Sequence, residues 1–163
     1  MEIGRIGRLM IPLYIQSKGI LEKSCLYISD YIERNKDAYY DFLTRVRTQN
    51  DMILWVKFFL EAIIETAKIA KDKFRKVVEL TQEMDQKIMN IGVKPENAKR
   101  FLNLLYDEPI ISRNKSVEMT GIKLTTVNGI INAFLENNIV VETTGYSRNQ
   151  VFTFQKYIDL FLK

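Results

Sequence analysis

Near the start of the sequence, Gly4-Arg5-Ile6-Gly7-Arg8 places two glycines and two guanidinium groups where an apolar stretch of helical spacing begins. Free backbone N–H groups at a helix start, approached closely because glycine has no side chain, together with flanking arginines form a site suited to a phosphate. The other reading of these residues is solvated charge at a helix end. A second set, Lys115, Lys123, Thr125, Thr126, Asn128 and Arg148, lies in a segment whose order of elements predicts nucleic-acid contact. In it the basic residues would meet phosphates, and Thr126 and Asn128 would meet base edges. What is absent excludes other chemistry. None of the 163 residues is histidine, which removes imidazole bases, Ser/His and Cys/His pairs and His-ligated metals. The single cysteine, Cys25, can close no internal disulfide and no thiolate cage, so it reads as a buried small residue in a reducing, cytoplasmic setting. No residue is assigned to catalysis and none to a metal. Tyr39 and Tyr40 read either as one core and one surface residue or as the border of a nucleotide base.

The elements that must hold these residues follow from the punctuation. No glycine or proline occurs between Gly19 and Gly92, after which Gly92, Pro95, Pro109, Gly121, Gly129 and Gly145 come in quick succession. The chain therefore reads as two parts, 1–92 and 93–163. The first is helical, with helices predicted over 4–18, 26–35, 37–47 and 52–91, Pro12 marking an irregularity in the first and Asn50 or Asp51 capping the last. Along the long helix, Val56, Leu60, Ile63, Ala67, Ala70, Phe74, Val77, Thr81, Met84 and Ile88 alternate steps of four and three, the repeat of a coiled-coil seam. Its early half is apolar over a wide arc and is expected to pack on the preceding helices. Its later half is charged outside the seam, which predicts self-association as a homodimer anchored by Phe74, Val77 and Met84.

The second part reads as a winged helix-turn-helix. Helices are predicted over 96–106, 115–120 and 125–137, with Gly121-Ile122 as the turn, followed by a β-hairpin of 139–143 and 150–154 and a last helical turn over 157–162. Lys and Arg number 24 against 20 Asp and Glu, a net charge of +4 shared equally by the two parts, which permits nucleic-acid contact without demanding it. The helix over 125–137 contains no lysine or arginine, a poor electrostatic footprint for tight DNA binding, so the module could dock DNA or a protein. Arg5 and Arg8 ahead of a short apolar run imitate a secretory signal, but Pro12 interrupts the run and no small-residue cleavage pattern follows. No segment approaches the ~20 apolar residues of a membrane span, so no membrane association is expected.

Gly4-Arg5-Ile6-Gly7-Arg8-Leu9-Met10-Ile11-Pro12-Leu13-Tyr14 resembles the second half of the Fic-domain signature, HxFx(D/E)GNGRxxR followed by an apolar helix. The resemblance continues through Leu26 to Tyr31, Asn35, Tyr39-Tyr40 and Trp55 to Glu61, and many bacterial Fic proteins also end in a winged helix. It implies a mainly α fold: a Fic-type helical segment with a long helix, then a winged helix-turn-helix with a small β-hairpin. Members of that family mostly transfer AMP from ATP to a protein hydroxyl. The signature histidine serves as base, the acidic residue holds magnesium, and the glycines, asparagine and arginines hold the phosphates. On this alignment Ile3 stands at the asparagine, Glu2 at the preceding glycine and Met1 at the metal-binding acid. What carries over is a phosphate-binding remnant of Gly4, Arg5 and Arg8. The resemblance thus implies the C-terminal portion of a protein adenylyltransferase, truncated ahead of its base and metal ligand and inactive alone. ATP and Mg2+ are expected for an intact member and no cofactor for this chain. The alternative is a standalone winged-helix DNA-binding regulator.

Overall fold

The computed structural model describes residues 3–22, 27–146 and 148–162, with 3–9 as backbone only; Cys25 lies outside them. The chain is mainly α-helical with one small antiparallel sheet: α1 (Ile3–Ser17), α2 (Ile28–Arg34), α3 (Lys36–Gln49), α4 (Met52–Lys87) and a 3-10 turn (Ile88–Asn90) precede α5 (Pro95–Asp107), β1 (Ile110–Ser112), α6 (Arg113–Thr120), α7 (Leu124–Glu136), β2 (Val141–Glu142), β3 (Val151–Thr153) and α8 (Gln155–Leu162). Two compact units divide between Asp72 and Lys73, inside α4. The physical reason is burial: Leu80, Met84 and Ile88 of the late α4 and its 3-10 turn sit in the core of the second unit.

In the first unit, Gly19 ends α1 with φ +69°, and the Ile20 N–H reaches back to the Ile15 carbonyl to close the last turn. Pro12 stays within α1 without ending it. Asn50 adopts the left-handed conformation after α3, while Asp51 Oδ1 accepts from Leu54 N–H at 3.5 Å, so the cap of α4 falls to Asp51. Ile28, Ile32 and Ala62 are fully buried, and Tyr31, Tyr39 and Phe42 gather around Phe58 with ring centroids 5.7, 6.3 and 5.5 Å away. Tyr39 is partly buried against this core whereas Tyr40 is exposed. The packing face of early α4 carries Phe58, Phe59, Ala62 and Ile63; Val56 and Leu60, expected in the packed seam, are 41% and 52% exposed.

The second unit has a single core around Phe101, Phe134, Phe152 and Phe154, with Phe101 and Phe134 meeting edge to face at 5.4 Å. Its sheet runs in the order β1-β3-β2, both pairs antiparallel, with Phe152 opposite Ile111 on one side and Glu142 on the other. The expected two-stranded hairpin is thus part of a three-stranded sheet, and β1 is an addition to it. The first hairpin strand starts later than predicted because the N–H groups of Ile139 and Val140 turn back to the Phe134 carbonyl, and both side chains are buried against the end of α7. Met84 is wholly inaccessible in this core and cannot be the surface anchor of a dimer. Phe74 is 55% exposed and Val77 is half-buried. Among the described residues, no helix is long and apolar enough to cross a membrane.

Candidate nucleic-acid interface

The second unit orients α6 and α7 through a few local bonds. Ser112 caps α6 by accepting from Lys115 N–H at 3.4 Å, and Ser116 Oγ returns to the Ser112 carbonyl at 2.8 Å. Thr120, buried at the other end, donates to the Ser116 carbonyl and accepts from Ile122 N–H at 3.2 Å. Gly121 between them holds φ +65°, a conformation that costs a residue with a Cβ, and so the chain turns sharply into α7. Val127, Ile130, Ile131 and Phe134 then face the core. The opposite side of α7 is left to Thr125, Gly129 and Asn132, all exposed, with Thr126 and Asn128 half-buried beside them and Lys123 exposed just ahead.

The expected contact residues fall into distinct surroundings. Arg148 is exposed in the β2–β3 loop and lines a cleft of about 510 Å³ with Ser112, Arg113, Asn114, Asn149 and Gln150. Lys123 and Thr125 are exposed at the start of α7. Lys115, expected at a phosphate, has its ammonium already paired with Glu108 Oε2 at 2.9 Å, so its charge is largely compensated. Arg100 of α5 was not read as a contact, yet its guanidinium reaches the α6–α7 turn, 3.9 Å from where a Cβ on Gly121 would lie.

The residue that ties this surface together is Arg113, which sequence reading missed. Its Nη1 donates to Asn128 Oδ1 on α7 at 3.0 Å, and its Nη2 donates to Gln150 Oε1 beside β3 at 3.1 Å. Its guanidinium carbon lies 4.8 Å from the centroid of the buried Phe152 ring. One side chain therefore links α6, α7 and the end of the β2–β3 loop. The only local signal was a Ser-Arg pair at a helix start; partners 15 and 37 residues away leave no periodicity to read. Within the loop, Glu142 accepts from the N–H groups of Thr144 at 2.8 Å and Gly145 at 2.9 Å and from the Thr144 hydroxyl. The Thr144 hydroxyl and N–H hold this carboxyl below its ordinary pKa, with Gly145 assisting.

In the first unit, Gly4, Arg5 and Arg8 lie in the opening turns of α1, and the side chains of both arginines lie outside the described atoms. Among the described residues, no three acidic or cysteine side chains come together as a metal site would need. No known protein-family model matches the chain.

Proposed function

We propose that the second unit is a winged helix-turn-helix that binds duplex DNA, laying α7 in the major groove and the β2–β3 loop along the backbone. The observation that carries this reading is the pair of hydrogen bonds from Arg113 to Asn128 and Gln150, which sets the polar face of α7 beside the loop that bears Arg148. The order helix, strand, helix, helix, strand, loop, strand and the β1-β3-β2 sheet support it. Arg100, Lys123 and Arg148 are exposed cations available to phosphates, and at about −0.9 per neutralised phosphate these three give a slope of log affinity on log salt near −3. Fluorescence anisotropy of the full chain on a random-sequence duplex at two salt concentrations tests this. Weak binding with that shallow slope is expected, and no binding at low salt transfers the module to protein docking.

The first unit is proposed as the helical C-terminal part of a Fic-type domain, on the strength of the resemblance from Gly4 to Glu61 and of the helix that Gly4, Arg5 and Arg8 open. Lacking any histidine, the chain by itself has no base for the acceptor hydroxyl and transfers no AMP. A reducing, cytoplasmic setting suits its lone cysteine. Self-association through Phe74 and Val77 would link two reading heads and raise their effective concentration on one duplex. Sedimentation of wild type against Phe74→Glu tests that contact, a difference in mass being expected.

A further inference from the structure

We propose that Glu142 is the positioning residue for Arg148 in DNA binding: acting through the Thr144 hydroxyl, its carboxylate closes the β2–β3 loop, and the hold of Arg148 on a backbone phosphate depends on that closure. This rests on the DNA-binding reading above and adds to it the residue that arranges the loop's contact.

Strand pairing stops short of this loop. β2 and β3 pair through Val141 with Thr153 and Glu142 with Phe152, and the Thr143 N–H adds a bond to the Val151 carbonyl at 3.1 Å. Beyond that point side chains take over. Glu142 Oε1 accepts from Thr144 N–H at 2.8 Å and from the Thr144 hydroxyl, and Oε2 accepts from Gly145 N–H at 2.9 Å. A carboxylate accepts and does not donate, so it dictates which way the Thr144 O–H points. With its proton committed there, the Thr144 oxygen accepts from Val151 N–H at 3.4 Å, across the loop at the start of β3. Carboxylate, hydroxyl and amide thus form a relay that joins the two ends of the loop. Gln150, next to Val151, is held separately by Arg113 Nη2 at 3.1 Å. Arg148 stands between these anchors, exposed and lining the cleft that Gln150 also lines. Each loop residue that must be ordered on contact with DNA costs conformational entropy, and a loop closed beforehand has already met that cost. On charge alone the carboxylate works the other way, since an anion beside the loop repels phosphates. Closure and charge therefore predict opposite signs for the loss of Glu142.

The test is fluorescence anisotropy of the full chain on a random-sequence duplex at two salt concentrations, with wild type, Arg148→Ala, Glu142→Gln, Thr144→Val and Thr144→Ser, and with Arg148→Ala added to each of Glu142→Gln and Thr144→Val. Arg148→Ala should weaken binding by about threefold to tenfold, the worth of one hydrogen bond, and make the salt slope shallower by about 0.9. Glu142→Gln, which removes a negative charge, and Thr144→Val, which removes only the hydroxyl, should each weaken binding by a factor close to that of Arg148→Ala. Adding Arg148→Ala to either should then cost less than about twofold more, the mark of coupled residues. Thr144→Ser, with the hydroxyl restored, should recover the binding lost in Thr144→Val. A general loosening of the unit would leave Arg148→Ala as costly in the variants as in wild type, so the cycle separates positioning from a merely structural role. Tighter or unchanged binding by Glu142→Gln, or a full additional cost of Arg148→Ala in both loop variants, overturns the inference. So does wild-type binding that Arg148→Ala leaves unaltered, which keeps the DNA-binding reading standing. Absence of wild-type binding at low salt overturns both. If melting shows one loop variant unfolded, the cycle built on the other decides.

Discussion

Cutting the chain at two places separates the packing boundary from the punctuation boundary. A fragment of residues 73–163 retains Leu80, Met84 and Ile88, which are 8%, 0% and 2% exposed in the core of the second unit. A fragment of 93–163 loses all three. At about 1.5–3 kcal/mol for each buried aliphatic or methionine side chain, the loss is roughly 6 kcal/mol. The ion pairs Asp85–Lys99 and Glu83–Lys156 go as well, but both are close to half exposed and contribute at most ~1 kcal/mol each. A domain of roughly 90 residues has a total stability of about 5–13 kcal/mol, so the apolar loss alone consumes most or all of it. The longer fragment should therefore melt cooperatively when followed by circular dichroism, and the shorter one should show no cooperative transition. In the full chain, Met84→Ala should cost ~2–4 kcal/mol through the cavity it leaves. Cooperative melting of 93–163 within a few degrees of 73–163 would refute this account of the core.

Three further outcomes are expected. Glu142 has its carboxyl held below the ordinary 4.5 by Thr144 and Gly145, so the order it gives the β2–β3 loop is complete above that value and is lost as pH falls through the depressed one; protection of the Gly145 amide from exchange should follow this course and be absent in Glu142→Gln. Gly121→Ala meets Arg100 Nη2 only at an ordinary 3.9 Å, so its cost is the left-handed backbone alone, about 1 kcal/mol, read as a drop of several degrees in Tm. Incubation with labelled ATP, Mg2+ and lysate should give no labelling above that of Arg8→Ala, and Mg-dependent transfer by the wild type would refute the assignment of an inactive chain.

The helices were legible because their signals are local. Gly19, Asp51 and Gly121 each act within one turn, and the observed ends lie within two residues of the predicted ones for most helices. The hairpin was visible in its β-branched runs, but β1 was not: Ile110–Ser112 is three residues long and exists as a strand only because β3 pairs with it. The candidate interface was half legible for the same reason. Lys123, Thr125 and Arg148 could be placed on a surface from burial patterns alone. The pairing of Lys115 with Glu108 and the bonds of Arg113 arise when separate elements are brought together.

The seam of α4 shows how a correct pattern can assign residues to the wrong neighbour. Ten residues from Val56 to Ile88 alternate steps of four and three, and a seven-residue repeat stays on one face only if the helix is supercoiled around a partner. On a straight helix of 3.6 residues per turn the stripe drifts about 20° per heptad, which accumulates to roughly a quarter turn over this length. One stripe can then serve different surfaces at its two ends. Met84 and Ile88 are taken into the core of the second unit, whereas Val56 and Leu60 are exposed and the first unit packs on Phe58 and Ala62 instead. Spacing alone could identify the apolar stripe. Which of its members meet protein and which meet solvent was decided by the elements that pack beside them, and that is why Phe74 remains a candidate contact while Met84 does not.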